Sequence, residues 1–118
     1  MALFSFTKAD RLLKRHEFLR LSRIGTKLSN AHFIVILSQG LSNRVRLGIT
    51  VSKKVGCATV RSRLRRLSRE HFRLNRYKID GNWDISLIAK KAAADLSSDQ
   101  VFFSLKEIFD RISRNLEP

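Results

Sequence analysis

Between Lys53 and Arg76 the chain reads KKVGCATVRSRLRRLSREHFRLNR, and this stretch limits the fold more than any other. It carries nine basic residues, Lys53, Lys54, Arg61, Arg63, Arg65, Arg66, Arg69, Arg73 and Arg76, and one acid, Glu70. Val60, Leu64, Leu67, His71 and Leu74 recur at i, i+4, i+7, i+11 and i+14, which is one stripe on an α-helix. At roughly 100° per residue, Arg61, Arg65, Arg66, Arg69, Arg73 and Arg76 fall on the opposite side, with Arg63 near the border. One face of such a helix packs on a core and the other looks outward. A merely solvated face mixes Glu with Lys one turn apart. This face is nearly all cationic, and Arg presents a flat fork of donors that grips phosphate oxygens in pairs. The stretch is therefore read as a nucleic-acid-binding helix.

Composition agrees. The 118 residues suit a single domain, 1–118, and 43% hydrophobic content is enough for one core. A net charge of +14, from 24 basic and 10 acidic residues, favours a polyanion as partner and makes binding salt-dependent. The chain has no run of 18 apolar residues, so no membrane span is expected. The N-terminal MALFSFTKAD lacks the basic segment and continuous apolar core of a signal peptide. A single cysteine, Cys57, excludes an internal disulfide and fits a reducing cytoplasm. Its place near a helix start asks for no more than a small residue.

Residues 1–10 read as extended and irregular. From Asp10, the sequence RLLKRHEFLRLSRIG predicts a short basic helix with Gly25 as its stop. Arg11, Lys14, Arg15, Arg20 and Arg23 make it a second basic patch. Phe18 has two readings, a core residue or a platform on which a base stacks. Residues 32–38, HFIVILS, predict a strand, and Gln39–Asn43 a turn. Residues 44–52 alternate, with Val45, Leu47, Ile49 and Val51 on one side and Arg44, Arg46, Gly48, Thr50 and Ser52 on the other. The two strands are expected to form an antiparallel hairpin with one partly polar face, and Gly48 and Ser52 to admit a ligand backbone. Lys53–Thr59 is the turn into the basic helix, whose free N–H groups also favour an anion. Residues 77–82 form a loop, and WDISLIAK (83–90) is a strand with Ile85, Leu87 and Ala89 on one face. Ser97 and Gln100 have the spacing of a capping box for a last helix, whose stripe is Phe102, Leu105, Phe109, Ile112 and Leu116.

Residues that could carry catalysis are scattered. His16, His32 and His71 have no neighbouring carboxylate at a recognisable spacing, and His71 sits on the apolar stripe as a packed residue. One cysteine cannot supply a zinc pattern, and the chain contains no phosphate loop. Asp84, Asp95, Asp99 and Asp110 do not cluster as metal ligands would. No catalytic residue and no protein-bound metal is expected.

The ordered pieces FTKADRLLKRHEF, a strand, RLGITVSKKVG, VRSRLRRLSREHFR and WDISLIAKK resemble the protein subunit of bacterial ribonuclease P, from about Phe6 to about Ile112. The specific part is RLGITVSKK at 46–54 followed by Arg61, Ser62 and Arg63 with Arg65, Arg66 and Arg69, similar to the family's Arg-Asn-Arg signature. The resemblance implies an α+β fold, a two-layer sandwich with a small mixed four-stranded sheet and three helices. Its order is α-β-β-β-α-β-α, ribosomal S5 domain 2-like, with a left-handed β-α-β crossover. The residues alone give only α-β-β-α-β-α, and the run at 44–52 with its approach is where the further strand is expected.

The resemblance also implies a role. The catalyst is an RNA that uses Mg²⁺ to remove the 5′ leader of precursor tRNA, and no protein partner is required. The protein binds that RNA through the basic helix and preceding turn, here Lys53, Lys54, Arg61, Ser62, Arg63, Arg65, Arg66 and Arg69. It holds the single-stranded leader in a cleft between a sheet face and the first helix, for which Arg11, Arg15, Phe18, Phe33 and Arg46 are the candidates. Ser62 stands where the family usually has Asn and loses the amide's paired donor and acceptor, so a weaker contact is expected there. Ser22 and Ile36 stand where some members have aromatics, so less stacking is expected. A ribosomal protein and a DNA-binding helix are the competing classes; strands rather than a second helix flank the basic helix, which counts against the latter.

Overall fold

A computed structural model describes residues 8–12, 14–40, 44–79 and 81–116. The elements are α1 (Arg15–Ile24), β1 (Thr26–Ser29), β2 (Phe33–Gln39), β3 (Arg46–Thr50), α2 (Ala58–Asn75), β4 (Trp83–Ala89) and α3 (Ser98–Leu116), with single 3-10 turns at Lys8–Asp10, Arg76–Lys78 and Lys91–Ala93. This is the α-β-β-β-α-β-α order. The sheet runs β1-β2-β4-β3. β1 and β2 are antiparallel, β2 and β4 are antiparallel, and β3 and β4 are parallel, joined through α2 as a β-α-β unit.

Two expectations about the strands are corrected. β2 and β3 are not a hairpin, because β4 inserts between them. The fourth strand is not in the run at 44–52. It is Thr26–Ser29, which pairs with β2 across a tight turn at Asn30. The Asn30 side chain makes that turn by accepting the backbone N–H groups of His32 (2.9 Å) and Phe33 (2.8 Å).

The period of two in the strands separates the two sheet faces. Phe33, Val35, Leu37, Leu47, Ile85 and Leu87 lie on one face and are buried beneath α2 and α3. α3 begins as its sequence predicts: the Gln100 N–H donates to Ser97 Oγ (3.2 Å) and the Ser97 N–H to Gln100 Oε1 (2.9 Å). Its buried stripe is Val101, Leu105, Ile108, Phe109 and Ile112, with Phe102 half-buried. α2 buries Leu64, Leu67, Ser68, His71 and Phe72 and lies against α3, where His71 and Phe72 meet Phe109. Phe72 rather than Leu74 closes the stripe; Leu74 is 40% exposed.

The other sheet face carries rows of smaller and polar residues, Lys27-Ile36-Ser86-Gly48 and Ser38-Asp84-Arg46. α1 packs on this face, against β2 and β4. It starts at Arg15, five residues later than the sequence predicts. Arg11 instead forms a parallel bridge to Leu47, and the Leu12 N–H donates to the Leu47 carbonyl (3.0 Å), extending the edge of β3. Gly25 does cap α1, in an extended conformation (φ −76°, ψ 155°). Its lack of a side chain is steric: a Cβ would stand 2.5 Å from Ile36 Cγ2 and 2.6 Å from the Leu21 carbonyl oxygen.

Candidate nucleic-acid interface

α2 is continuous from Ala58 to Asn75 because no Gly or Pro interrupts it and its Leu and Arg residues are good helix formers. With Leu64, Leu67, Ser68, His71 and Phe72 turned inward, the outer arc carries Ser62, Arg66 and Arg69, all exposed, flanked by half-buried Arg61, Arg63 and Arg65. Lys53 and Lys54 are exposed in the turn before it. Among the described residues, no carboxylate forms an ion pair with Arg61, Arg63, Arg65, Arg66 or Arg69. The first turn of α2 contains no acid, so cations sit where the helix dipole is already positive. That arrangement is unfavourable in isolation and is relieved by an anion.

The structure divides the predicted residues into three sets. Ser62, Arg63 and Arg66 line a shallow depression with Ala58 and Thr59, and Arg63 Nη2 reaches Ser98 Oγ at 3.4 Å. Arg65 and Arg69 line a second groove, of about 130 Å³, together with Arg11, Leu12, Leu47, Gly48 and Ile49. Arg65 Nη2 also donates to the Val51 carbonyl (3.3 Å), which ties α2 to the end of β3. Arg11 thus joins the α2 arginines rather than the α1 cleft. The third set faces the α1 side of the sheet. Arg15 is exposed at the start of α1, and Phe18 is half-buried with its ring on Gly48.

Several placements depart from the expectations. Phe33 is fully buried on the α2–α3 face, because strand alternation turns it away from α1, and it leaves the cleft. Gly48 does not admit a ligand backbone: a Cβ there would overlap the Phe18 ring and stand 2.9 Å from Leu12 Cβ. Arg46 is held by two carboxylates. Its Nε and Nη2 donate to Asp84 Oδ1 and Oδ2, both at 3.0 Å, and its Nη1 lies 2.8 Å from Glu17 Oε2. The bonds to Asp84 hold its guanidinium above its ordinary pKa. Arg76 leaves the outer face to meet Asp10 at 3.0 Å, and Arg44 meets the same carboxylate at 2.8 Å. Arg73 pairs with Glu70.

His32 Nδ1 lies 3.0 Å from Ser104 Oγ, and His16 is exposed. His71 packs against Phe102 and Phe109, and burial pushes its pKa down to about 4. Among the described residues no group of three or more His, Cys, Asp or Glu could hold a metal ion, and no helix is long and apolar enough to cross a membrane. Among the described residues the surface offers guanidinium and ammonium groups along a helix, beside a sheet face that carries the Phe18 ring.

A family model described as Ribonuclease P matches residues 6–113. The chain belongs to the ribonuclease P protein family. It is 46% identical over 114 residues to the ribonuclease P protein component of Desulfosudis oleivorans, covering 97% of this chain and 94% of that one. With the protein of Desulforapulum autotrophicum the identity is 44%, covering 98% of each. The fold is similar to the solved RNase P protein of Staphylococcus aureus (TM-score 0.84, 33% identity, 89% of this chain and 96% of that one). It is also similar to that of Thermotoga maritima (TM-score 0.78, 33% identity, 86% and 96%). Family membership makes the chain part of a ribonucleoprotein endonuclease of tRNA 5′ processing, with an RNA as partner.

Proposed function

We propose that the outer arc of α2 and the Lys53–Lys54 turn bind the catalytic RNA of ribonuclease P, and that α1 and the sheet face beneath it hold the single-stranded 5′ leader of precursor tRNA. The observation that carries this reading is the arc itself, a helix face whose arginines meet no carboxylate among the described residues. Leader binding draws on Phe18, Arg15, Lys27, Ile36 and the row Ser29-Ile34-Ile88-Thr50. Ser62, exposed amid the arc, offers one hydroxyl where the family's Asn offers an amide. The cleavage chemistry belongs to the RNA and its Mg²⁺. The RNA subunit and precursor tRNA are the partners this reading requires, and the cytoplasm is its place of work.

The test is cleavage of a precursor tRNA by a bacterial ribonuclease P RNA at low Mg²⁺, with and without the protein, and with protein alone. Cleavage only with both components is the expected result. Cleavage by protein alone would place an active site in this chain. RNA binding without stimulation would favour a ribosomal-type role. Within the complex, Arg65→Ala is expected to lower the slope of log affinity against log salt by about 1. An unchanged slope would remove Arg65 from the phosphate contacts.

A further inference from the structure

α1 is the wall of the proposed leader cleft, yet little apolar surface fastens it. Leu21 is its one fully buried residue, while Leu19 is 50% and Ile24 59% exposed. What fixes its position is a chain of charges that begins in the sheet. Asp84, 3% exposed on the central strand β4, takes a two-pronged grip from Arg46 on β3. The third arm of that same guanidinium reaches Glu17 on α1, and Arg20 on α1 lies 4.0 Å from Asp84. Beside this network Gly48 leaves room for the Cζ and Cε1 end of the Phe18 ring to reach the sheet. Glu17 and Phe18 are adjacent, so the ion network and the ring seat act on one turn of helix.

We infer that Arg46 is a positioning residue of the leader site: with Asp84 and Glu17 it sets the height and angle of Phe18 over the sheet, and it makes no phosphate contact of its own. The inference rests on the proposed leader-binding reading. Its physical basis is that a planar guanidinium bonded on three nitrogens fixes both distance and orientation, which a lysine or a lone pair would not. All three partners are mostly buried, with side chains 18%, 4% and 16% exposed, so solvent competes little for them. A nucleic acid phosphate would have to displace a buried carboxylate to reach Arg46.

Two variants separate this from direct contact and from loss of fold. Glu17→Gln removes the charge that α1 offers Arg46 but keeps the acceptor that caps the Lys14 backbone N–H at 3.2 Å. Arg46→Met removes both ion pairs. Each is assembled with the RNA subunit and compared with wild type and Phe18→Ala for the affinity ratio of precursor to mature tRNA, its salt slope, and amide hydrogen exchange along α1. We expect faster exchange in α1 than in α2 or α3, with the precursor preference falling roughly fivefold in Arg46→Met, the equivalent of ~1 kcal/mol of base stacking. Glu17→Gln should show a smaller change in the same direction, and the slope should not move. A slope lowered by about 1 in Arg46→Met would mean direct phosphate contact and overturn the inference. So would an unmoved preference in Glu17→Gln and Arg46→Met when Phe18→Ala lowers it. If Phe18→Ala also leaves the preference intact, the leader reading itself falls, whatever α1 exchange shows. Should Arg46→Met fail to fold, Glu17→Gln decides alone.

Discussion

The arginines on the outer arc of α2 differ in one respect from Arg20, Arg44, Arg46 and Arg76, which have a carboxylate within reach. Arg20 and Arg46 converge on Asp84, and Arg44 and Arg76 on Asp10; each acid is almost fully buried. Arg66 and Arg69 meet no acid among the described residues and stay exposed. With 24 basic and 10 acidic residues, cations outnumber acids by 14. Two of those few acids are buried at junctions, one where the N-terminal segment, the approach to β3 and the end of α2 meet, the other beneath α1. The side chain is the same in both regions. Beside a buried acid it acts as a rigid strut, and on the outer arc of α2 as an uncompensated charge that a polyanion relieves.

Removing a buried acid is expected to have the largest effect. Asp84→Ala strands Arg46 with one partner and leaves a half-buried cation under α1. A loss on the order of 3 kcal/mol is expected, the lower end for breaking a buried pair. Urea unfolding monitored by circular dichroism reads it directly. A loss under ~1 kcal/mol would mean that the Arg46 network is a surface pair in all but position.

His71 is a third fate for a basic side chain, burial without charge. Burial, then the nearby Lys78, lower its pKa from 6.5 to about 4, and Lys106 acts the same way while Asp110 opposes. Above pH 6.5 the folded and unfolded chains are both neutral there, so the group adds no pH dependence. Between 6.5 and 4 the unfolded chain binds a proton that the native core refuses, so stability falls as pH falls. At ~1.4 kcal/mol per pKa unit the total is on the order of 3 kcal/mol. His71→Leu should flatten the stability curve over that window. An unchanged curve would assign the acid sensitivity to carboxylates instead.

Gly48→Ala tests the seat of Phe18. The added methyl group overlaps the ring and crowds Leu12, so a loss of ~1–3 kcal/mol is expected from overpacking. If Phe18→Ala in the same chain restores most of it, the two positions are coupled through one contact. If it restores none, the strain lies with Leu12.

How much of this could be read beforehand follows from the range of the interactions. α2 and α3 were legible because their signals are local: an uninterrupted 3.6-residue period in each and, for α3, a capping box that forms as spaced. β1 was not, since TKLS is short and three of its four residues are exposed; its pairing with β2 alone defines it. The β2–β3 hairpin was a reasonable reading of neighbouring strands, and it failed because β4, delivered through the parallel crossover, takes the place between them. Phe33 and Phe18 were both aromatic candidates; only the register of β2 could turn one into the core and leave the other on the α1 side. Arg46 reads as a free cation on a polar strand face, since the acid that holds it lies 38 residues further along. Sequence spacing reaches a helical turn or a strand pair, and these buried ion pairs lie beyond it.

The smallest effect on stability is also the one with the most informative sign. Arg66 is exposed on the arc, with Arg63 and Arg69 each three residues away and Glu70, the partner of Arg73, four residues on. Arg66→Glu replaces two repulsions with two attractions and, at Glu70, one attraction with a repulsion, each worth ~0.2–0.5 kcal/mol, so the net should raise the stability of the free protein by several tenths. The same change inverts a charge facing the proposed RNA surface and should weaken binding to the RNA subunit while lowering its salt slope. Unfolding and RNA titration on one preparation measure both. If stability rises while affinity falls, the arc is kept cationic at the expense of the fold, as expected of a surface selected for an anionic partner. If stability falls instead, Arg66 has structural contacts that its exposure hides, and the separation between strut and free charge would have to be redrawn along α2.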